Sequence, residues 1–231
     1  MQVYTPLRNP RFVIVLIAAL LFTACNPASP APSEPEGLTT VPAEEPTEPA
    51  VEASSELFSG TQCTAGNATL TPASTEGPYY TPDTPERNSL IEPDTEGTTL
   101  VLVGLVLDSN CQPIPGAWLD FWQTDALGNY DNQGYGLRGH QFSAADGSYR
   151  LETILPAAYG TGGGGSRPPH IHVKVQAPGA VVLTTQLYFP TAEELNAQDN
   201  IFNDVLLVEM QTTEDGSIQA RFDFVVETDV K

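Results

Sequence analysis

Leu100-Val-Leu-Val-Gly-Leu-Val-Leu107 is an unbroken apolar run closed by Asp-Ser-Asn-Cys-Gln-Pro. So short a run, bounded by turn formers, reads as a strand. Working outward, residues 117–123, 148–154, 170–176, 181–189, 205–210 and 218–226 are further short segments of this kind, with β-branched and aromatic residues between Gly, Pro, Asn and Asp. In the last of them Ile218, Ala220, Phe222, Phe224 and Val226 alternate with Gln219, Arg221 and Asp223, the period of a half-buried strand. About seven strands with almost no helical periodicity predict an all-β fold, an antiparallel β-sandwich with little helix. The one helix signal is Thr191-Ala-Glu-Glu194, a capping box opening a short helix after Phe189.

The 231 residues carry a net charge of −20, from 9 Lys+Arg against 29 Asp+Glu. Phosphate contacts need clustered cations, so this balance argues against nucleic acid and against electrostatic attachment to anionic lipid. The termini differ from the body. Arg8 and Arg11 precede an apolar run, residues 12–22, that ends in Thr23-Ala24-Cys25. The run is too short to span a bilayer, so residues 1–25 read as an export signal. Thr-Ala-Cys25 resembles a bacterial lipobox, with Phe22 where Leu is usual, which would make Cys25 the lipidated N-terminus and the only link to a membrane. Residues 26–56 hold seven Pro and seven Glu and no Lys or Arg. They cannot bury enough apolar surface to offset their ordering entropy and read as an extended, disordered tether. Residues 57–231 form the sandwich domain, with 7 of the basic and 22 of the acidic residues, a net of −15. The expected location is the outer face of a bacterial membrane or the periplasm. In such an oxidising compartment Cys63 and Cys111 read first as a disulfide, the alternative being two unpaired thiols.

Arg167-Pro-Pro-His170-Ile-His172-Val-Lys-Val is the informative stretch for chemistry. Period 2 places His170, His172 and Lys174 on one face of a strand, with the two His Cα atoms roughly 6.6–7 Å apart. Two imidazoles so placed can converge on one metal ion. Two of the chain's three His are here. Tyr130 and Tyr159 each follow a predicted strand, where oxygen donors could join them. Alone, His-x-His is a weak signal, and a tyrosine is more often a packing residue with its hydroxyl at the surface.

Several ordered motifs together are more specific. Thr75-Glu-Gly-Pro-Tyr-Tyr80, Asp120-Phe-Trp-Gln-Thr-Asp-Ala-Leu-Gly-Asn-Tyr130, Arg138-Gly-His-Gln-Phe142, Arg167-Pro-Pro-His-Ile-His172 and Leu183-Thr-Thr-Gln-Leu-Tyr-Phe189 resemble the intradiol ring-cleaving dioxygenases. This is the family of catechol 1,2-dioxygenase and protocatechuate 3,4-dioxygenase, sandwiches with long active-site loops. The resemblance implies that Tyr130, Tyr159, His170 and His172 ligate ferric iron, Fe(3+). It places the active-site arginine at Arg167 and the glutamine near the metal at Gln186. His140 matches no ligand and reads as a loop histidine; Tyr79 and Tyr80 are expected to pack beside the pocket.

The residue types suit the chemistry. Phenolates are hard, anionic donors for ferric iron and neutral imidazoles fill the remaining protein positions. A free tyrosine titrates near about 10, so it ligates as phenolate only because the metal stabilises that form. The resemblance further implies that a catechol-type substrate displaces Tyr159, which accepts a proton. Dioxygen then opens the ring to a cis,cis-muconate-type diacid, with Arg167 stabilising developing negative charge.

Two departures matter. The helical region that forms the dimer of cytoplasmic members is replaced here by signal and tether, so the oligomeric state stays open. Residues 160–166 are Gly-Thr-Gly-Gly-Gly-Gly-Ser, a pocket rim that lets Tyr159 move or a permissive linker. The competing reading is an exported binding module without catalysis, since residues 104–117 and 146–151 also resemble transthyretin-like and carboxypeptidase-regulatory-like sandwiches.

Overall fold

The computed structural model describes Cys63 and residues 68–160 and 166–228; the expected leader, tether and Cys25, and residues 161–165 of the glycine-rich stretch, lie outside the described residues. The strands are β1 (Thr99–Leu107), β2 (Trp118–Gln123), β3 (Arg138–Phe142), β4 (Ser148–Ile154), β5 (Tyr159–Gly160), β6 (Ser166–Arg167), β7 (His170–Gln176), β8 (Leu183–Tyr188), β9 (Glu209–Thr212), β10 (Ile218–Arg221) and β11 (Phe224–Val225). One sheet runs β3-β2-β7-β8; the other places β1 between β4 and the β10/β11 pair, with β9 outside β10. Strands β5 and β6 make a small separate ribbon.

The core follows from alternation. Leu100, Leu102 and Val106 of β1 and Leu151 of β4 share one apolar cluster with Leu119 and Phe121 of β2 and Val173 and Val175 of β7. All are fully shielded from solvent, and their burial between the two sheets is the main driving force for the sandwich.

The all-β sandwich is as expected, but it is not antiparallel throughout. The β3-β2-β7-β8 sheet is antiparallel. In the other, β1 pairs antiparallel with β4 and parallel with β10 and β11. More than a hundred residues, including the whole β3-β2-β7-β8 sheet, separate β1 from β10. Such a crossover lets the chain return in the same direction, which a hairpin cannot.

Three local expectations also change. Residues 205–210 are not one strand: a 3-10 turn over Asp204–Leu206 is capped by the Asn203 side chain, which accepts from Val205 N, and β9 begins only at Glu209. Residues 218–226 break after Arg221, because the Asp223 carboxylate replaces a backbone carbonyl as acceptor for Leu105 N at 3.0 Å. Thr191 does not cap a helix. Pro190 opens a 3-10 turn, Pro190–Ala192, and the helix α1 (Glu193–Gln198) follows with Ala192 at its N-cap and no side-chain cap bond. Residues 138–142, too polar to read as a strand, form β3.

The outer face of the β3-β2-β7-β8 sheet is partly covered. Residues 74–87 cross it, held by Ser74 N to Thr184 O at 2.8 Å, Gln186 Nε2 to Thr75 O at 2.8 Å and Tyr80 Oη to Asp120 Oδ2 at 3.0 Å. The candidate site lies under this strap.

Candidate metal centre

Cross-strand register builds the site. Trp122 of β2, His172 of β7 and Gln186 of β8 stand opposite one another in one row, and His170 stands opposite Tyr188. Because side chains alternate, all five project to the strap side while Ile171, Val173 and Val175 enter the core. His170 and His172 are nonetheless only 2% and 1% exposed. His140, expected on a loop, sits instead in β3 opposite Asp120, with Nδ1 3.2 Å from Thr84 Oγ1.

The donor atoms converge. His170 Nε2 and His172 Nε2 are 3.1 Å apart, and Tyr130 Oη is 3.4 Å from His170 Nε2. Tyr159 joins from the β5 end: its ring lies 5.4 Å from that of Tyr130 and 5.8 Å from that of His170, centroid to centroid. Tyr130 is held by the loop after β2, in which Asp125 Oδ1 accepts from Leu127 N and Asn129 N at 2.8 Å each. At Gly128 a Cβ would meet the Ala158 carbonyl oxygen at 2.4 Å, so this glycine lets the two tyrosine-bearing loops approach.

Burial, reinforced by Arg167, lowers the His170 pKa to about 4; burial, then His170 and Arg167, pushes His172 well below the usual range. Both rings are therefore neutral near pH 7, the form that ligates a metal. The Pro168 carbonyl, 2.6 Å from His170 Nδ1, fixes the proton on that nitrogen and leaves Nε2 a lone pair. Burial, then Tyr159, raises the Tyr130 phenol above its ordinary range, so its phenolate needs a cation beside it. Two imidazole nitrogens sharing an ion at about 2.1 Å, at right angles, stand about 3.0 Å apart, close to the spacing found. The donor set fits ferric iron: two neutral nitrogens and two phenolic oxygens. Among the described residues no three His, Cys, Asp or Glu converge; the phenols beside the His pair are those of Tyr130 and Tyr159.

Arg167 and Gln186 lie beside the donors in one network. Arg167 Nη2 donates to Gln186 Oε1 at 2.6 Å and to Tyr188 Oη at 3.1 Å, while Nε donates to Asp199 Oδ2 at 2.9 Å. Tyr79 stacks on Tyr130, ring centroids 4.4 Å apart, and meets Tyr159 edge-on at 5.8 Å. Tyr80 packs on Trp122 at 4.8 Å.

Sequence reasoning missed Trp122, Tyr188 and Asp199. The first two were findable by counting alternate positions from Gln186 along β8 and from Asp120 along β2. No local signal marks Asp199, which reaches Arg167 from the end of α1.

Comparison with known proteins gives one consistent result. The family model Dioxygenase_C, described as "Dioxygenase", matches residues 75–228. Catechol 1,2-dioxygenase of Pseudomonas sp. (strain EST1001) is 34% identical over 139 residues, 51% of this chain and 46% of that protein. The alpha chain of protocatechuate 3,4-dioxygenase of Pseudomonas putida is 28% identical over 185 residues, 68% of this chain and 91% of that one. The chain spans about half the length of the catechol 1,2-dioxygenases it matches. Among solved structures, the dioxygenase domain of a dioxygenase carbohydrate-binding protein fusion from Streptomyces sp. SirexAA-E is 45% identical with a TM-score of 0.65, covering 70% of this chain and all of that one. For 3-chlorocatechol 1,2-dioxygenase of Rhodococcus opacus 1CP the identity is 29% and the TM-score 0.63, over 67% and 72% of the two chains.

Proposed function

The chain belongs to the intradiol ring-cleaving dioxygenases, and from that premise we propose that it uses ferric iron and O2 to open a catechol-type ring between its two hydroxyl-bearing carbons, giving a cis,cis-muconate-type diacid. The observation that carries this reading is the convergence of Tyr130, His170 and His172 within hydrogen-bond distances, with Tyr159 against them. A binding module would have no use for four such donors, and all four are present.

Bound there, ferric iron would supply a Lewis acid that binds the substrate as its dianion and activates its ring toward dioxygen. Tyr159 is the residue placed to move a proton: its phenol oxygen would hold the metal or accept a proton from an incoming substrate hydroxyl. It sits on the short β5–β6 ribbon, outside the sandwich sheets, which suits a side chain that changes partners. Arg167 sets a permanent cation beside Tyr159 and His170, where negative charge develops on ring and oxygen. Gln186 fixes that guanidinium through Oε1, and its own amide is held by Thr75 O. Tyr79 walls the site with an aromatic face and limits water. Both oxygen atoms end in the product, so no external reductant is required.

The proposal extends to location. Residues 1–56 are read as a leader, a Cys25 lipid anchor and a tether that hold the enzyme outside the cytoplasm. The deciding experiment is oxygen uptake by the purified protein on catechol, hydroxyquinol and chlorocatechols, with product analysis. Muconate-type diacids are expected; extradiol products, or a colourless iron-replete protein without uptake, overturn the reading.

A further inference from the structure

Arg167 is the cation placed at the candidate site, and its charge is already balanced. Asp199 accepts from Arg167 Nε at 2.9 Å, with side chains only 13% and 5% exposed, so the pair faces little screening water. Nη2 is spent on Gln186 and Tyr188. Asp199 is itself anchored: its backbone N–H donates to Asn196 O at the end of α1, and Oδ1 accepts from Ile201 N at 3.3 Å. Most other cations of the described residues are paired with carboxylates. Arg87, Arg150, Lys174 and Arg221 each form a salt bridge; Arg138 lies 6.0 Å from the Tyr130 ring centroid, but it is fully buried and its Nε and Nη2 are held by the Asp131 carbonyl. The sequence between β5 and β6, Thr161-Gly-Gly-Gly-Gly165, adds no charged side chain.

Resting on the ring-cleavage reading, we propose that Asp199 is a positioning and charge-balancing residue for Arg167, and that through it the site selects catechols without a charged ring substituent. Tyr79, Tyr130 and Tyr159 offer aromatic walls to such a ring. A ring carboxylate would instead enter as an anion and find Arg167 already paired with Asp199, and an unpaired buried charge is costly.

The test compares 3,4-dihydroxybenzoate with its methyl ester and its amide, using catechol as reference. The amide matches the acid in size and the ester exceeds it, so a preference for both over the acid reports charge rather than volume. The wild-type enzyme is expected to favour ester and amide over acid by about 100-fold or more in kcat/KM, the scale of an unpaired buried charge. Asp199→Asn, which unbalances Arg167, should cut that ratio at least about 10-fold, mainly through KM for the acid, with the visible iron band unchanged. Asp199→Glu restores the charge and should restore the ratio, which also guards against misreading a folding defect. Acid turned over as well as ester, or a ratio unmoved in Asp199→Asn with the band intact, overturns the proposal. Absence of both band and oxygen uptake on catechol overturns instead the ring-cleavage reading on which it rests.

Discussion

Trp122 and His172 lie face to face, ring centroids 4.7 Å apart and planes 7° from parallel. The two candidate histidine ligands are therefore oriented differently. His170 is held through Nδ1 by the Pro168 carbonyl; His172 Nδ1 has no hydrogen-bond partner among the described residues. Its ring plane is set by the indole, which packs against Tyr80 in turn. Such a stack contributes about 0.5–1.5 kcal/mol beyond its area.

Trp122→Leu should accordingly weaken iron binding about 10-fold, the lower end of effects on groups that orient a ligand. It should also cost about 3 kcal/mol of stability through the cavity left. Trp122→Phe keeps a stacking face and should retain most of the iron. Iron content after dialysis against a graded chelator, at matched folded fraction, separates the two effects; equal retention in the Leu variant would remove the stack from any orienting role.

Tyr130 and Tyr159 differ in how firmly they are held, Tyr130 being 9% exposed and Tyr159 more open. A ferric centre with tyrosinate ligands should be red-brown. Tyr130→Phe is expected to shift or abolish the visible band and most of the activity. Tyr159→Phe should leave a weaker band from Tyr130 and slow turnover, because the proton acceptor is gone. An unchanged spectrum in Tyr130→Phe would refute its place as a ligand.

What could be read from the sequence followed period and punctuation. The alternation of 170–176 places His170 and His172 on one face and three apolar residues on the other, which is how β7 lies. The ends of β4 and β7 match the residues at which the apolar pattern begins and stops. Strand β3 could not be read this way, because its outward residues Arg138 and His140 are polar yet covered, by strap residues 84–87. The parallel edge beside β1 was equally hidden, since alternation fixes which face is buried but not which distant strand lies alongside. For the site, period put His170 and His172 on one face, and the resemblance to a family supplied the expected roles of that pair and of Tyr130, Tyr159, Arg167 and Gln186. Asp199 needed coordinates, because a contact between a strand end and a helix end leaves no spacing rule.

Gly104 marks where β1 meets the break between β10 and β11. A Cβ there would stand 1.8 Å from the Phe222 carbonyl oxygen and 3.0 Å from the Tyr149 ring. That carbonyl already accepts from Tyr149 Oη at 2.8 Å in a fully buried setting. Neither neighbour can move without losing a buried hydrogen bond, so Gly104→Ala should destabilise the domain by about 3 kcal/mol or more. Urea denaturation checks this, and a loss below about 1 kcal/mol would mean the strands part easily here.

In the structure a disulfide joins Cys63 and Cys111, with Cα atoms 5.7 Å apart and a sequence separation of 48. The bridge packs with Leu107 and Val225 in a small cluster separate from the main core, and so ties the segment entering the domain to the β1/β11 end of its sheet. For a loop of this length chain entropy gives about 4 kcal/mol, and measured bridges more often deliver about 2–4. Reduction, or replacement of both cysteines by Ser, should therefore lower the urea midpoint clearly. The candidate iron centre stands on the other sheet, so its visible band should survive in the folded, reduced protein. A midpoint unchanged on reduction would mean that the entering segment already has these constraints in the unfolded chain; a band lost together with the bridge would mean that the two sheets are coupled more tightly than their separate clusters imply.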